Sequence, residues 1–189
     1  MGGVRKRSSD PRADETYPAS KATQWSGKWA WYSLEQLFEI EKGTRLTKRD
    51  QLSGLTPYIG SSALRNGVTN RISKEPDFPG HVLTVPYNGS VGHAFYQPIP
   101  FCAGDDVHVL HPRKAIDKFA LLFVATVIRH EKYRFTYGRK WHLGRMRKST
   151  VRLPSTTDGE PDWPYMSRFM QGLNFSAAIE DQRERYVGV

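Results

Sequence analysis

Ile116, Phe119, Ala120, Phe123, Val124 and Val127 follow one another at the three- and four-residue steps of a helix, so the spacing predicts a helix through this stretch. Leu121, Leu122 and Ile128 extend its apolar face almost around the circumference, the pattern of a helix central to a core. A shorter helix is expected over 34–38, with Ser33 in the capping position ahead of Leu34 and Leu37. Toward the far end Trp163, Met166, Phe169, Met170 and Leu173 make a stripe at helical spacing and predict a carboxyl-terminal helix. That stripe has two destinations: it folds back on its own domain, or it docks another chain.

The polar and apolar alternation between these helices has a shorter period. Runs at 57–61, 82–87, 94–97 and 107–110 are rich in β-branched and aromatic residues and are separated by Gly, Pro and Asn, which predicts short strands in antiparallel pairing. Asn88-Gly89 suits a type I′ turn, in which both central residues take positive φ. It predicts a hairpin from 82–87 to 94–97, with Ser90, Val91 and Gly92 lengthening the loop. Residues 149–153 read as a closing strand, and 156–159 as a polar turn. Trp29 and Trp31 open the ordered part of the chain, Gly43 ends its first unit, and 44–50 is a charged loop. The expected fold is α+β: a single mixed domain with a twisted, largely antiparallel sheet, one central buried helix and a carboxyl-terminal helix.

Composition divides the chain. Residues 1–24 have almost no large apolar groups and cannot offset the entropy of ordering, so a flexible basic arm is expected there, then one domain over 25–160, and a helix and tail for docking or dimerisation over 161–189. A length of 189 residues suits one domain. The single cysteine, Cys102, excludes an intrachain disulfide framework and a thiolate metal cluster, and its neighbours Phe101 and Ala103 point to a packing role. The longest apolar run, 119–128, is half a membrane span, and no apolar leader follows Met1, so a cytoplasmic protein without membrane partners is expected.

Charge adds a partner. Residues 129–152 hold nine basic side chains against one acid, Glu131, while the rest of the chain is nearly neutral. Tyr133, Phe135, Tyr137 and Trp141 are interleaved with these cations, a mixture suited to a polyanion that carries flat groups. The competing account is a solvated face. Catalysis has weaker support: there is no glycine-rich phosphate loop and no H-E-x-x-H zinc motif. The six histidines show no ligand spacing, since His108 and His111 lie three apart on a strand and face opposite sides. Asp105-Asp106 after Gly104 reads first as a turn. No catalytic residue, metal or cofactor is therefore expected.

Leu37-Phe38-Glu39-Ile40-Glu41-Lys42-Gly43, Pro57-Tyr58-Ile59-Gly60-Ser61-Ser62-Ala63, Asn66-Gly67-Val68-Thr69, Thr84-Val85-Pro86-Tyr87-Asn88-Gly89-Ser90-Val91-Gly92 and Tyr137-Gly138-Arg139-Lys140-Trp141 stand in a particular order and spacing. With Asp158-Gly159 and Pro161-Asp162-Trp163 at the close, this order resembles a target recognition domain of the DNA specificity subunit of type I restriction-modification systems, over about 25–173. The resemblance implies sequence-specific recognition of double-stranded DNA for other subunits: an adenine methyltransferase (modification) subunit and a restriction or translocase subunit. It also implies paired recognition domains spaced by a long helix. With one such domain and room for one helix, the chain is expected to be a half-subunit that forms a homodimer, a module of a related type II system, or a fragment.

Lysine and arginine neutralise phosphates, whereas arginine and asparagine bond base edges in pairs. The phosphate candidates are Lys48, Lys132, Lys140 and Arg145, with Arg45 and Arg134 beside them in the DNA-binding set; the base-reading candidates are Arg65, Asn66, Arg71, Tyr137 and Arg139. The partner-binding candidates are Trp163, Met166, Phe169, Met170 and Leu173. Two alternatives stay open: a metal-dependent nuclease using Asp105, Asp106 and Glu131, and an RNA-binding or anti-restriction interaction protein.

Overall fold

A computed structural model describes residues 27–135 and 138–173. In chain order its elements are β1 (Lys28–Ser33), α1 (Leu34–Leu37), β2 (Phe38–Lys42), β3 (Ser53–Ile59), β4 (Val68–Ile72), β5 (Val82–Pro86), β6 (Phe95–Gln97), β7 (Cys102–Ala103), β8 (Val107–Pro112), α2 (Lys118–His130), α3 (Leu143–Lys148), β9 (Thr150–Ser155) and α4 (Trp163–Gln171). The arm expected over 1–24, the tail beyond 173 and Tyr137 lie outside the described residues.

The α+β architecture and the central helix are as expected. Asp117 starts α2 by accepting hydrogen bonds from the Phe119 and Ala120 amides at 2.8 and 3.0 Å. Phe119, Ala120, Leu121, Val124, Ala125 and Ile128 are buried, and α2 packs against α4, β5, β6 and β9. The Ser33 cap is present as a reciprocal box: Ser33 Oγ accepts from the Gln36 amide, while Gln36 Oε1 accepts from the Ser33 amide.

Pairing is spread over three sheets, ordered β1-β9, β2-β8-β5-β6 and β4-β3-β7. All pairs are antiparallel except β3 with β7. The four-stranded sheet is the middle layer, and the period of two along its strands shows why. On β8, Leu110 joins the core under α2, while Val107 and Val109 join a second core with Ile59, Phe78 and Phe101. On β5, Leu83 and Val85 face the first and Val82 the second.

Four strands carry no sequence expectation, among them β7, which is only two residues long. In β2, Phe38 and Ile40 are buried and Glu39 and Glu41 exposed, an alternation too short to separate from the preceding helix. In β1, Trp29 and Trp31 are 42% and 61% exposed, so large apolar residues occupy the solvent side. In β4, Thr69, Asn70 and Arg71 are all exposed, which hides the strand in polar sequence. The hairpin from β5 to β6 forms in the expected pairing, but its turn is not type I′. Gly89 and Gly92 take positive φ and Asn88 does not, because the Asn88 side chain is held by Asp106 and its carbonyl by the Ser61 hydroxyl.

The stripe on α4 turns inward for much of its length. Met166 is fully buried, and Trp163 and Phe169 pack against the main core. Phe169 meets Phe123 of α2 edge to face at 5.8 Å. Met166 as a partner contact is thereby corrected: its side chain holds α4 to its own domain. Met170 is half-buried, and Leu173 remains 41% exposed. Cys102 is buried as expected. No helix among the described residues is long and apolar enough to cross a membrane.

Candidate nucleic-acid interface

The basic segment that follows α2 is shaped by two aromatic anchors. Phe135 and Trp141 are buried and stacked with ring centroids 4.1 Å apart, and the Trp141 indole donates to Ser149 Oγ at 2.9 Å. Rings of this size find more apolar partner surface in the core than at a wet interface, so these two of the interleaved aromatics anchor the segment. Tyr133, by contrast, is 78% exposed. The anchors pin the segment, and the cations around them project outward.

Lys132, Arg134, Arg139 and Arg145 are exposed and Lys140 is half-buried. Several already have work within the protein. Arg134 pairs with Glu131 at 2.7 Å, Arg145 donates to the Lys140 carbonyl at 2.7 Å, and Arg147 donates to the Ile40 carbonyl at 3.1 Å. An arginine on a backbone carbonyl keeps donors for a phosphate, whereas Arg134 must share its charge with a carboxylate.

Three stretches meet beside this segment: the β3–β4 connection, the β5–β6 loop and the end of α2. The Ser61 hydroxyl donates to the Asn88 carbonyl. A Cβ on Gly92, whose φ is 76°, would come within 2.8 Å of Lys132 Cβ, so only glycine lets the loop approach Lys132 this closely. The Arg129 guanidinium lies over the Phe95 ring, 5.8 Å from its centroid. Asn66 donates to the Tyr96 carbonyl at 2.8 Å and to Gln97 Oε1 at 3.3 Å. Arg65, Asn66 and Lys132 are thus gathered around β6 and its loop. Arg71 lies nearby, lining a small groove with Asn66 and Gln97 and donating to the Leu55 carbonyl at 2.9 Å. Asn66 itself is corrected as a base reader, since its amide donors are turned inward.

Lys48 lines a cleft of about 500 Å³ with Gln51, Tyr58, Ser61, Asn70, Asp105 and Asp106. This cleft adjoins the β5–β6 loop through Ser61 and through the Asn88 to Asp106 hydrogen bond of 3.2 Å. Arg45 is exposed in the loop before Lys48, and no described contact ties it to the three meeting stretches. Arg129 and Gln97 were missed among the candidates. The basic run signalled Arg129, and nothing in the sequence signalled Gln97.

The histidines divide by environment. His108 Nε2 donates to the Trp141 carbonyl at 3.2 Å, its ring stacks on Tyr87 at 4.7 Å, and burial pushes its pKa down to about 4. It is a neutral core residue. His93 is also shifted below the ordinary imidazole range, first by burial and then by the cations of Lys132 and Arg129. Among the described residues no group of three or more His, Cys, Asp or Glu is placed to hold a metal ion.

Residues 26–184 match the family model described as type I restriction modification DNA specificity domain. The chain belongs to this family. It is 38% identical over 147 residues to the type II restriction enzyme BgcI specificity subunit S.BcgI of Heyndrickxia coagulans, an alignment that takes in 77% of this chain and 43% of that one. The fold is similar to the S subunit of a type I restriction-modification system from M. genitalium, with a TM-score of 0.63 at 16% identity over 86% of this chain and 41% of that one. It is also similar to the HsdS subunit from Thermoanaerobacter tengcongensis, with a TM-score of 0.56 at 17% identity over 90% of this chain and 41% of that one. The chain spans less than half the length of these relatives.

Proposed function

We propose that this chain recognises a specific sequence in double-stranded DNA as the specificity module of a restriction-modification system. It directs an adenine methyltransferase subunit, and with it a restriction or translocase subunit, and performs no chemistry itself. The observation that carries the reading is the meeting of the β3–β4 connection, the β5–β6 loop and the cationic end of α2 within a chain of the DNA specificity family. Lys48, Lys132, Lys140 and Arg145 are proposed to neutralise phosphates, with Arg45 and Arg134 as peripheral cations. Arg65, Arg71 and Arg139 are proposed to reach base edges. Met170 and Leu173, with the outer edges of Trp163 and Phe169, are the part of α4 proposed to meet the methyltransferase or a second copy.

The nuclease alternative gains no support. Asp105 and Asp106 share the Lys48 cleft, but Glu131 is occupied by Arg134. The test is affinity capture from the native cell followed by identification of the bound chains and a duplex-binding assay of the complex. Recovery of an adenine methyltransferase and duplex binding are expected. Mg²⁺-dependent cutting by the purified chain alone, or a preference for single-stranded RNA over duplex DNA, would refute the reading.

A further inference from the structure

The β3–β4 connection holds a backbone that L-residues avoid. Arg65, Asn66 and Gly67 take φ values of 51°, 55° and 81° in succession. Glycine adopts this conformation freely and asparagine tolerates it, but arginine does not, so something outside the turn must hold it. The holding group is an amide pair, one member buried and the other partly buried. Asn66 Nδ2 donates to the Tyr96 carbonyl at 2.8 Å and to Gln97 Oε1 at 3.3 Å, while Gln97 Nε2 donates to the Asn66 carbonyl at 3.0 Å and to Thr84 Oγ1 at 2.8 Å. Gln97 is 4% exposed and Thr84 fully buried, so the relay is anchored in β5 and β6, two adjacent strands of the middle sheet. A Cβ on Gly67 would press on Ile59 of β3 and Phe95 of β6, at 3.1 and 3.4 Å, which seats the turn between those two strands.

What the turn presents is the opposite of what holds it. Leu64 is 73% exposed and Arg65 is exposed beside it. The Arg65 guanidinium has no hydrogen-bond or ion-pair partner among the described residues, in contrast to Arg71, Arg134 and Arg145. An arginine reads guanine through two parallel hydrogen bonds, which discriminate only if the guanidinium arrives in a fixed place. A neighbouring apolar side chain suits the thymine methyl or a base step. We propose that the Thr84–Gln97–Asn66 relay is a positioning device that locks this left-handed turn, making Arg65 a specificity-determining contact to a base edge in duplex DNA and Gln97 and Asn66 its positioning residues. This rests on the DNA-recognition reading above.

The test is selection by the full chain, or by its captured complex, from duplexes with a randomised core, with a scrambled duplex as the affinity control. Wild type is expected to enrich a consensus. Arg65→Ala should flatten preference at one base pair by about tenfold or more while changing affinity for the scrambled duplex by no more than about threefold, as expected of a base contact rather than a phosphate contact. Gln97→Met and Asn66→Gly should flatten that same base pair with unchanged circular dichroism. Asn66→Gly keeps the backbone conformation allowed and keeps the Gln97 bond to the carbonyl of residue 66, removing only the side-chain bonds to the Tyr96 carbonyl and Gln97 Oε1, so it decides whether those bonds position Arg65 if Gln97→Met fails to fold. An Arg65→Ala profile identical to wild type would overturn the base contact. A changed Arg65→Ala profile with an unchanged Asn66→Gly profile would overturn the relay. If wild type enriches no consensus, the recognition reading itself falls.

Discussion

Helix α2 and the segment 131–142 that follows it are both rich in large side chains, yet they use them in opposite ways. In α2 the apolar residues form one broad surface, and burial follows their period: Phe119, Ala120, Val124 and Ile128 are all covered. In the following segment there is no period. Phe135 and Trp141 go to the core, Tyr133 goes to solvent, and cations fill the spaces between. A regular element declares which residues are inside through its geometry, whereas an irregular one declares only that some of them must be. The segment is best described as a cationic surface hung on two buried rings.

That description breaks if the rings are not anchors. Trp141→Ala should destabilise the fold by about 3–5 kcal/mol, and Tyr133→Ala should stay within about 0.5 kcal/mol of wild type, both measured by denaturant unfolding. If the two costs were similar, the contrast between inward and outward aromatics would be wrong.

His108 sharpens the same boundary, because its Nε2 donates to the Trp141 carbonyl beneath the basic segment. Its folded pKa of about 4 lies below the ordinary value of 6.5. The unfolded chain therefore takes up the proton first. The stabilisation is fully present above about pH 6.5, and it is lost as pH falls through that window to about 4, by about 3 kcal/mol in all. Unfolding of wild type and His108→Gln at both ends of this range should show a pH dependence smaller in the variant by roughly that amount. Equal pH dependence would place the titration elsewhere.

Helix α4 offers a smaller version of the comparison within one element. Phe169→Asp should cost about 2 kcal/mol, because the ring packs on Phe123. Leu173→Asp should leave stability within about 0.5 kcal/mol and weaken capture of the partner chain. A stable Phe169→Asp protein that loses its partner would move the docking surface inward along the helix.

What the sequence made legible follows from this. The α2 helix, the Ser33 cap, the β5–β6 pairing, the closing strand and the order of family segments were all readable, because each rests on a local pattern or a fixed spacing. β1 was hidden by tryptophans on its exposed side, and β4 by polar residues at a sheet edge. The inward turn of Asn66 was hidden because its partner Gln97 lies thirty-one residues away and has no local signal. The candidate cations could be named, and the pairing of Arg134 with Glu131 is a local one three residues apart, but the anchoring of the segment by Phe135 and Trp141 depends on tertiary packing that no window of the sequence contains.

The central claim is that the surface built from the end of α2 and the basic segment is made for a duplex backbone. The direct measurement is the affinity of the full chain, with its captured partner, for a duplex across a salt series. The logarithm of affinity should fall linearly with the logarithm of salt, with a slope of about −0.9 for each phosphate neutralised. Lys140→Ala should flatten that slope by about one unit for every duplex alike. Binding that ignores salt, or a Lys140→Ala slope equal to wild type together with unchanged slopes for Lys132→Ala and Arg145→Ala, would contradict the account.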